Sequence, residues 1–332
     1  MRSKAILSVI LGLMLIFVVG CGQPQEQSNN EEPSEKTQFT IAAGVTGSPW
    51  HAIAVGIGET IKRAIPEADI TIISGGAISN IELIERGEID LALSSGCLVY
   101  TATRGEDPFE QKYENVKSIS KLYPAAMQYA VTASSGIASF NDVKEKEFPL
   151  KISIGPQGAL TEWATKNMLL EYGITYEDIR NWGGSVQFLD NTDAVNQIRD
   201  GLIHALAGHT SRPAGYITEV TSDRDMVILP VEESVINAMI NKYGFEYQPV
   251  PGGIYKNNPN EIPTYGTTTN LIVNGNIPEE TVYKITKSFY ENRDYLINVH
   301  HELSAIDKES WDVGSPLHLG AEKYWKEIGA MD

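Results

Sequence analysis

Three stretches of this chain set glycine and hydroxyl residues between an apolar run and a helical pattern. They are Ala43-Gly44-Val45-Thr46-Gly47-Ser48, Ser74-Gly75-Gly76-Ala77 and Gly155-Pro156-Gln157-Gly158-Ala159. The first turn of a helix carries backbone N–H groups without partners and a partial positive charge. Such a turn holds an anionic group without any basic side chain. Three of them around one cleft would bind a small anion such as a carboxylate. Thr46, Ser48, Ser74, Gly75, Gly76, Ser95, Gln157 and Thr161 are the expected donors, with Trp50 and Tyr255 as walls. Glycine, serine and threonine after a strand are also ordinary turn and cap residues, so each loop alone has a purely structural reading.

Other residue constellations point to less. No Gly-Lys-Ser/Thr phosphate loop, G-x-G-x-x-G, H-E-x-x-H or G-x-S-x-G is present. No catalytic residue, metal or cofactor is therefore expected. His300 and His301 are adjacent, so on a helix they diverge by about 100° and chelate poorly. His209 and Arg212 follow a short strand pattern; His209 is a candidate contact, and Arg212 either clamps a carboxylate or lies solvated in a loop. Cys97 reads as a small core residue and His318 as structural.

The elements that would position the three loops alternate between strand and helix. Phe39–Ala42, Ile70–Ile73, Leu91–Leu93, Ile152–Ile154, His204–Ala207, Val227–Leu229 and Thr269–Val273 read as strands. Ile53, Ile57, Ile61 and Ile65 form one apolar helical stripe after Pro49, which suits a helix start. Val282, Ile285, Phe289 and Leu296 mark one long helix. This alternation predicts an α/β fold built on a parallel sheet covered on both faces. Gln128–Thr132 and Tyr255–Thr268 read as two crossovers between domains. The expected division is 38–132 plus 259–332 for one lobe and 133–258 for the other.

The N-terminus supplies an address. Met1-Arg2-Ser3-Lys4 is basic, and the apolar run Ala5–Val19 is too short for a spanning helix of about 20 residues. Residues 1–20 read as a signal peptide. Val18-Val19-Gly20-Cys21 resembles a bacterial lipobox, which implies lipidation of Cys21. Without residues 1–20 the chain holds 24 basic against 43 acidic side chains, a formal charge of −19. That balance excludes a nucleic-acid partner, which needs a basic face, and leaves membrane attachment to the lipid. The span from Cys21 to Thr37 lacks large apolar residues and reads as a disordered tether reaching about 20–24 Å.

Four segments carry a family likeness. They are Thr46-Gly47-Ser48-Pro49-Trp50-His51, Ser74–Asn80 with Gly87–Leu93, Gly155–Thr161 and Pro316–Tyr324. In order and spacing the chain resembles the TAXI (TRAP-associated extracytoplasmic immunogenic) solute-binding receptors of tripartite ATP-independent periplasmic transporters. The resemblance implies a two-lobed periplasmic-binding-protein fold of type II-like topology, closing on a hinge of two crossover segments. It implies a small carboxylate or amino acid of the glutamate or 2-oxoglutarate kind as ligand, and a TRAP-type membrane permease as partner. An exported monomer is expected, lipid-anchored at the outer face of the bacterial cell membrane or in the periplasm. Gly47 and Asn80 join the ligand-contact candidates on these matched segments. The chain departs from the family pattern at Ala159-Leu160, at Ala77 and at Ser95-Gly96-Cys97, where hydroxyl, amide or acidic groups are common. These changes leave room for a less polar or a differently shaped ligand. Two rivals share the fold: a lipoprotein sensor signalling to a membrane kinase, and an enzyme.

Overall fold

The computed structural model describes residues 36–332; the signal segment, Cys21 and most of the tether lie outside them. The chain opens with β1 (Gln38–Ala42), α1 (Pro49–Ala64), β2 (Asp69–Ile73), α2 (Ala77–Glu85), β3 (Leu91–Ser95), α3 (Gly96–Ala102) and the long β4 (Val116–Thr132). It continues through α4 (Phe140–Glu145), β5 (Lys151–Ser153), α5 (Leu160–Glu171), α6 (Tyr176–Asn181), β6 (Ser185–Gln187), α7 (Asn191–Arg199) and β7 (Ala205–Thr210). Then come α8 (Gly215–Asp223), β8 (Met226–Ile228), α9 (Glu233–Tyr243), β9 (Glu246–Tyr247) and β10 (Tyr265–Asn274). The last elements are α10 (Glu279–Glu291), α11 (Arg293–Val299) and α12 (Leu319–Glu327). No helix among the described residues is long and apolar enough to cross a membrane.

The strands run in the order β2-β1-β3-β10-β4-β7-β5-β6, with β8 on β4 and β9 on β10. The sheet is mixed, which corrects the expectation of a parallel one. β1 pairs in parallel with β2 and β3, and β5 with β6 and β7, as strand–helix–strand units require. Every pairing of β4 or β10 with another strand is antiparallel. The cause is connectivity: β4 leaves the first half of the molecule and β10 returns to it, so the two run in opposite directions. β4 pairs with β10 up to Ala126 and with β7 from Ala126 to Val131. The stretch Gln128–Thr132 is thus the far end of one 17-residue strand. Pro124 and the polar Lys117 and Lys121 interrupt its alternation, which hides it in the sequence.

Two further differences have local causes. The expected long C-terminal helix breaks at Asn292, whose amide nitrogen donates to the Ser288 carbonyl (2.8 Å) and hydroxyl (3.2 Å). A side chain that bonds back onto its own helix offers the backbone an alternative to continuing. The strand expected over Leu91–Leu93 extends to Ser95, which is also the N-cap of α3, so the helix follows with no intervening loop.

One core packs α1, α10 and α12 on the outer face of the first half. Ile53, Ile57 and Ile61 are fully buried there, each worth about 1.5–3 kcal/mol. A second core surrounds α7 and α8. The third runs across both halves, joining α2 and α3 to α5 and α9. Within it the Tyr129 and Tyr265 hydroxyls pair at 2.7 Å, and Tyr265 donates to the Ala164 carbonyl of α5 at 3.1 Å. Cys97 is fully buried and its thiol is pushed up to about 12 by burial, so it is a packing residue.

Candidate functional site

The two sets of parallel strands point their carboxyl ends at each other: β3 ends beside Thr269 and Tyr123 and β7 ends beside Ala126, so their loops meet midway along β4. Ser48 caps α1, its Oγ accepting from the His51 N–H at 3.3 Å. Thr46 Oγ1 lies 3.3 Å from Ser74 Oγ, which ties the first loop to the second. Beneath them the buried Asn80 donates to the Ala43 carbonyl (2.9 Å) and the Leu93 carbonyl (2.8 Å), linking the ends of β1 and β3. Gly75 is required above it: a Cβ there would stand 1.9 Å from Asn80 Oδ1. The second loop enters α2 without a side-chain cap, although Ser79 Oγ accepts from Gly76 N and donates to Gly76 O, both at 3.1 Å. The third loop turns through Gly155 (φ +83°) and Gly158 (φ +77°) into α5, whose N-cap Ala159 offers no side chain for capping.

Two adjacent cavities lie at these loops. One, about 440 Å³, is bounded by the first loop and Trp50, by Tyr123 and Ala125 of β4, by the end of β7, and by His300, His301 and Glu302. The other, about 400 Å³, lies between Gly76–Ser79, Glu82 and Ser95 on one side and Gly158–Leu160 on the other. Trp50 and His209 line both, so the two form one cleft. A larger groove of about 650 Å³ runs along α9 from Glu232 to Tyr247 and touches none of the three loops.

Of the residues singled out above, Ser48, Trp50, Gly76, Ser95 and His209 line the cleft. Thr46, Gly47, Ser74 and Gly75 belong to the loops but do not line the cavities. Asn80 is a buried strut. Gln157 is exposed on the third loop, and Thr161 packs against Gly155 in the first turn of α5. Tyr255 lies elsewhere: it is 4% exposed, its hydroxyl donating to Gln128 Oε1 (2.6 Å) and accepting from Ala214 N (2.7 Å). Gln128 Nε2 in turn donates to the Thr210 (3.3 Å) and Ser211 (3.2 Å) carbonyls, so Tyr255 steadies the exit of β7 from behind.

His209 sits within β7, opposite Met127, and not beyond a strand end as its sequence context suggested. Burial, with the charge of Arg212 adding a little, drops its imidazole to about 4, so the ring is neutral near pH 7. Its Nε2 is buried without a partner. Arg212 turns to the Pro249 carbonyl (2.6 Å) and Gln248 Oε1 (3.0 Å), bracing a loop. His318 caps α12, accepting from Gly320 N at 3.1 Å.

Patterning carries no sign of Tyr123 or Glu302 as cleft residues. Tyr123 lies on the part of β4 that alternation hides, and Glu302 follows the unexpected break after α10. The adjacent histidines are the one visible signal there. The Trp50 indole donates to the Tyr123 hydroxyl at 3.1 Å, which fixes both rings in the wall.

The chain shares its fold with a solved solute-binding protein and shows a weaker likeness to others. A TctC solute-binding protein from Polaromonas, solved without ligand, is 14% identical with a TM-score of 0.55, over 90% of this chain and 100% of that one. The aliphatic sulphonate binding protein SsuA from Escherichia coli is 12% identical with a TM-score of 0.46, over 88% of this chain and 84% of that one. An ancestral arginine-binding protein is 12% identical with a TM-score of 0.47, over 81% and 98%. The α/β architecture is that of two-lobed periplasmic binding proteins. The model of the NMT1-like family matches residues 41–329, and the chain belongs to that family.

Proposed function

We propose that this protein is an extracytoplasmic solute receptor that holds a small carboxylate or amino acid between its lobes and delivers it to a membrane permease. The observation that carries this reading is the meeting of the three loops around Trp50 and His209. The carboxylate would lie at the uncapped first turns of α2 and α5, where N–H groups point outward and the helix dipole favours negative charge. The reading takes 38–132 plus 259–332 as one lobe and 133–258 as the other, with β4 and β10 as the hinge. The finer assignment follows the resemblance to TAXI receptors: a TRAP-type permease as partner, Cys21 lipidated, and the tether keeping the receptor near its permease. The site is assigned no turnover.

Stripping the protein of ligand by unfolding and refolding, then titrating a panel of carboxylates and amino acids by calorimetry, tests the proposal. A true ligand at a hundred times its Kd adds about 2.7 kcal/mol of stability, seen as a raised Tm. A panel in which nothing releases heat and no Tm moves sinks it.

A further inference from the structure

The wall of the larger cleft cavity is a row of rings. Trp50 is bonded to Tyr123; Tyr123 and His300 lie near-parallel with centroids 6.0 Å apart (27°), and His300 and His301 follow at 5.1 Å (26°). Glu302 stands at the end of this row, with its Oε2 3.7 Å from His300 Nδ1, and lines the same cavity. Among the described residues no lysine or arginine lines either cavity, while Glu82 and Glu302 both do. A dicarboxylate would meet two negative side chains, whose nearest guanidiniums stand outside the cavities: Arg86 lies 3.9 Å from Glu82, and Arg212 turns to Pro249 and Gln248. A positively charged group would meet aromatic rings and a carboxylate, the two kinds of partner that stabilise an ammonium.

We propose that the aromatic row and Glu302 form a subsite for an ammonium group, so that the cleft selects zwitterionic amino acids over the dicarboxylate and 2-oxo acids of similar shape. This rests on the receptor reading above. The ligand carboxylate lies at the α2 and α5 loops, and its ammonium turns past Trp50 toward Glu302. Glu302 is the specificity-determining residue, and Glu82 opposes a second carboxylate.

The test is calorimetry on the ligand-stripped full chain with matched probes: the amino acids, and the 2-oxo acids carrying the same side chains. The expected result is that every amino acid that binds does so at least about tenfold tighter than its 2-oxo partner. Glu302→Gln keeps the shape and removes the charge; it should cut that preference to about threefold or less. A second variant, Tyr123→Leu, removes a ring and should weaken amino acids more than 2-oxo acids. Should 2-oxo acids bind as tightly as amino acids, or Glu302→Gln leave the preference intact, the subsite is overturned while the receptor stands. If neither series binds, the subsite falls, and the wider carboxylate panel decides the receptor reading.

Discussion

The two sides of the cleft are built differently. The first and second loops are tied to each other and to the sheet: Thr46 meets Ser74, Asn80 reaches both Ala43 and Leu93, and the Ala43 N–H donates to the Ile73 carbonyl at 3.0 Å. The third loop has one internal bond, from Ala159 N to the Pro156 carbonyl at 3.1 Å, and then enters an uncapped helix. The first side is formed before a ligand arrives. In the proposed receptor the third loop would keep donors for a ligand to satisfy, which would couple binding to closure. Preformed donors lower the ordering cost of binding, and unfilled ones reward it.

Four experiments can break or sharpen this contrast. The largest effect concerns His209, half-buried in the cleft wall and neutral on the second side. The unfolded chain binds a proton at this position below about 6.5 and the folded one only near 4, so His209 costs stability as pH falls through that window, by about 3 kcal/mol at its foot. His209→Gln should therefore be relatively more stable at pH 4.5 than at pH 7 in urea unfolding. A difference between variant and parent that ignores pH would refute the burial argument.

Asn80→Leu comes next. It leaves the Ala43 and Leu93 carbonyls buried without their donor and should cost about 2 kcal/mol, with a weaker ligand response in the same calorimetry. Unchanged stability would mean that the first side is not braced as described. Ala159→Ser tests the other side and should raise stability by about 1 kcal/mol by capping α5. It should also weaken carboxylate binding, because the added hydroxyl occupies an N–H the ligand needs; tighter binding would contradict the model of an open helix end. Thr46→Val should change stability by about 0.5 kcal/mol or less, since its hydroxyl contact is exposed. A large loss of binding with this variant would promote Thr46 from loop tie to ligand contact.

Much of the frame was legible because periodicity reports burial. The stripe of Ile53, Ile57 and Ile61, the strands next to the three loops and the cap at Ser48 all follow from local rules. What was not legible depends on distant partners. β4 was hidden because its lysines and Pro124 break alternation, yet its pairing with β10 and β7 holds it extended. Tyr255 read as a wall because it sits near a crossover, but Gln128 and Ala214, far away in sequence, claim its hydroxyl. Glu302 and Tyr123 come together from segments nearly 180 residues apart, and no spacing rule encodes that meeting.

The pairing of β4 with β10 sets how the halves can move relative to each other. Two separate connecting strands could slide or twist independently. Nine paired positions, from Gly266 with Ala126 to Asn274 with Val116, make them a single ribbon. A slip by one residue would turn every side chain to the opposite face, so shear is blocked. The register shifts between Thr269 and Asn270 and between Leu271 and Ile272, and such irregularities bend a strand. The ribbon thus works as a leaf spring, stiff along its length and across its width, and compliant in one direction of flexure. In the proposed receptor, entry and release of ligand would share that one mechanical coordinate, and the mouth of the cleft would open as the leaf unbends.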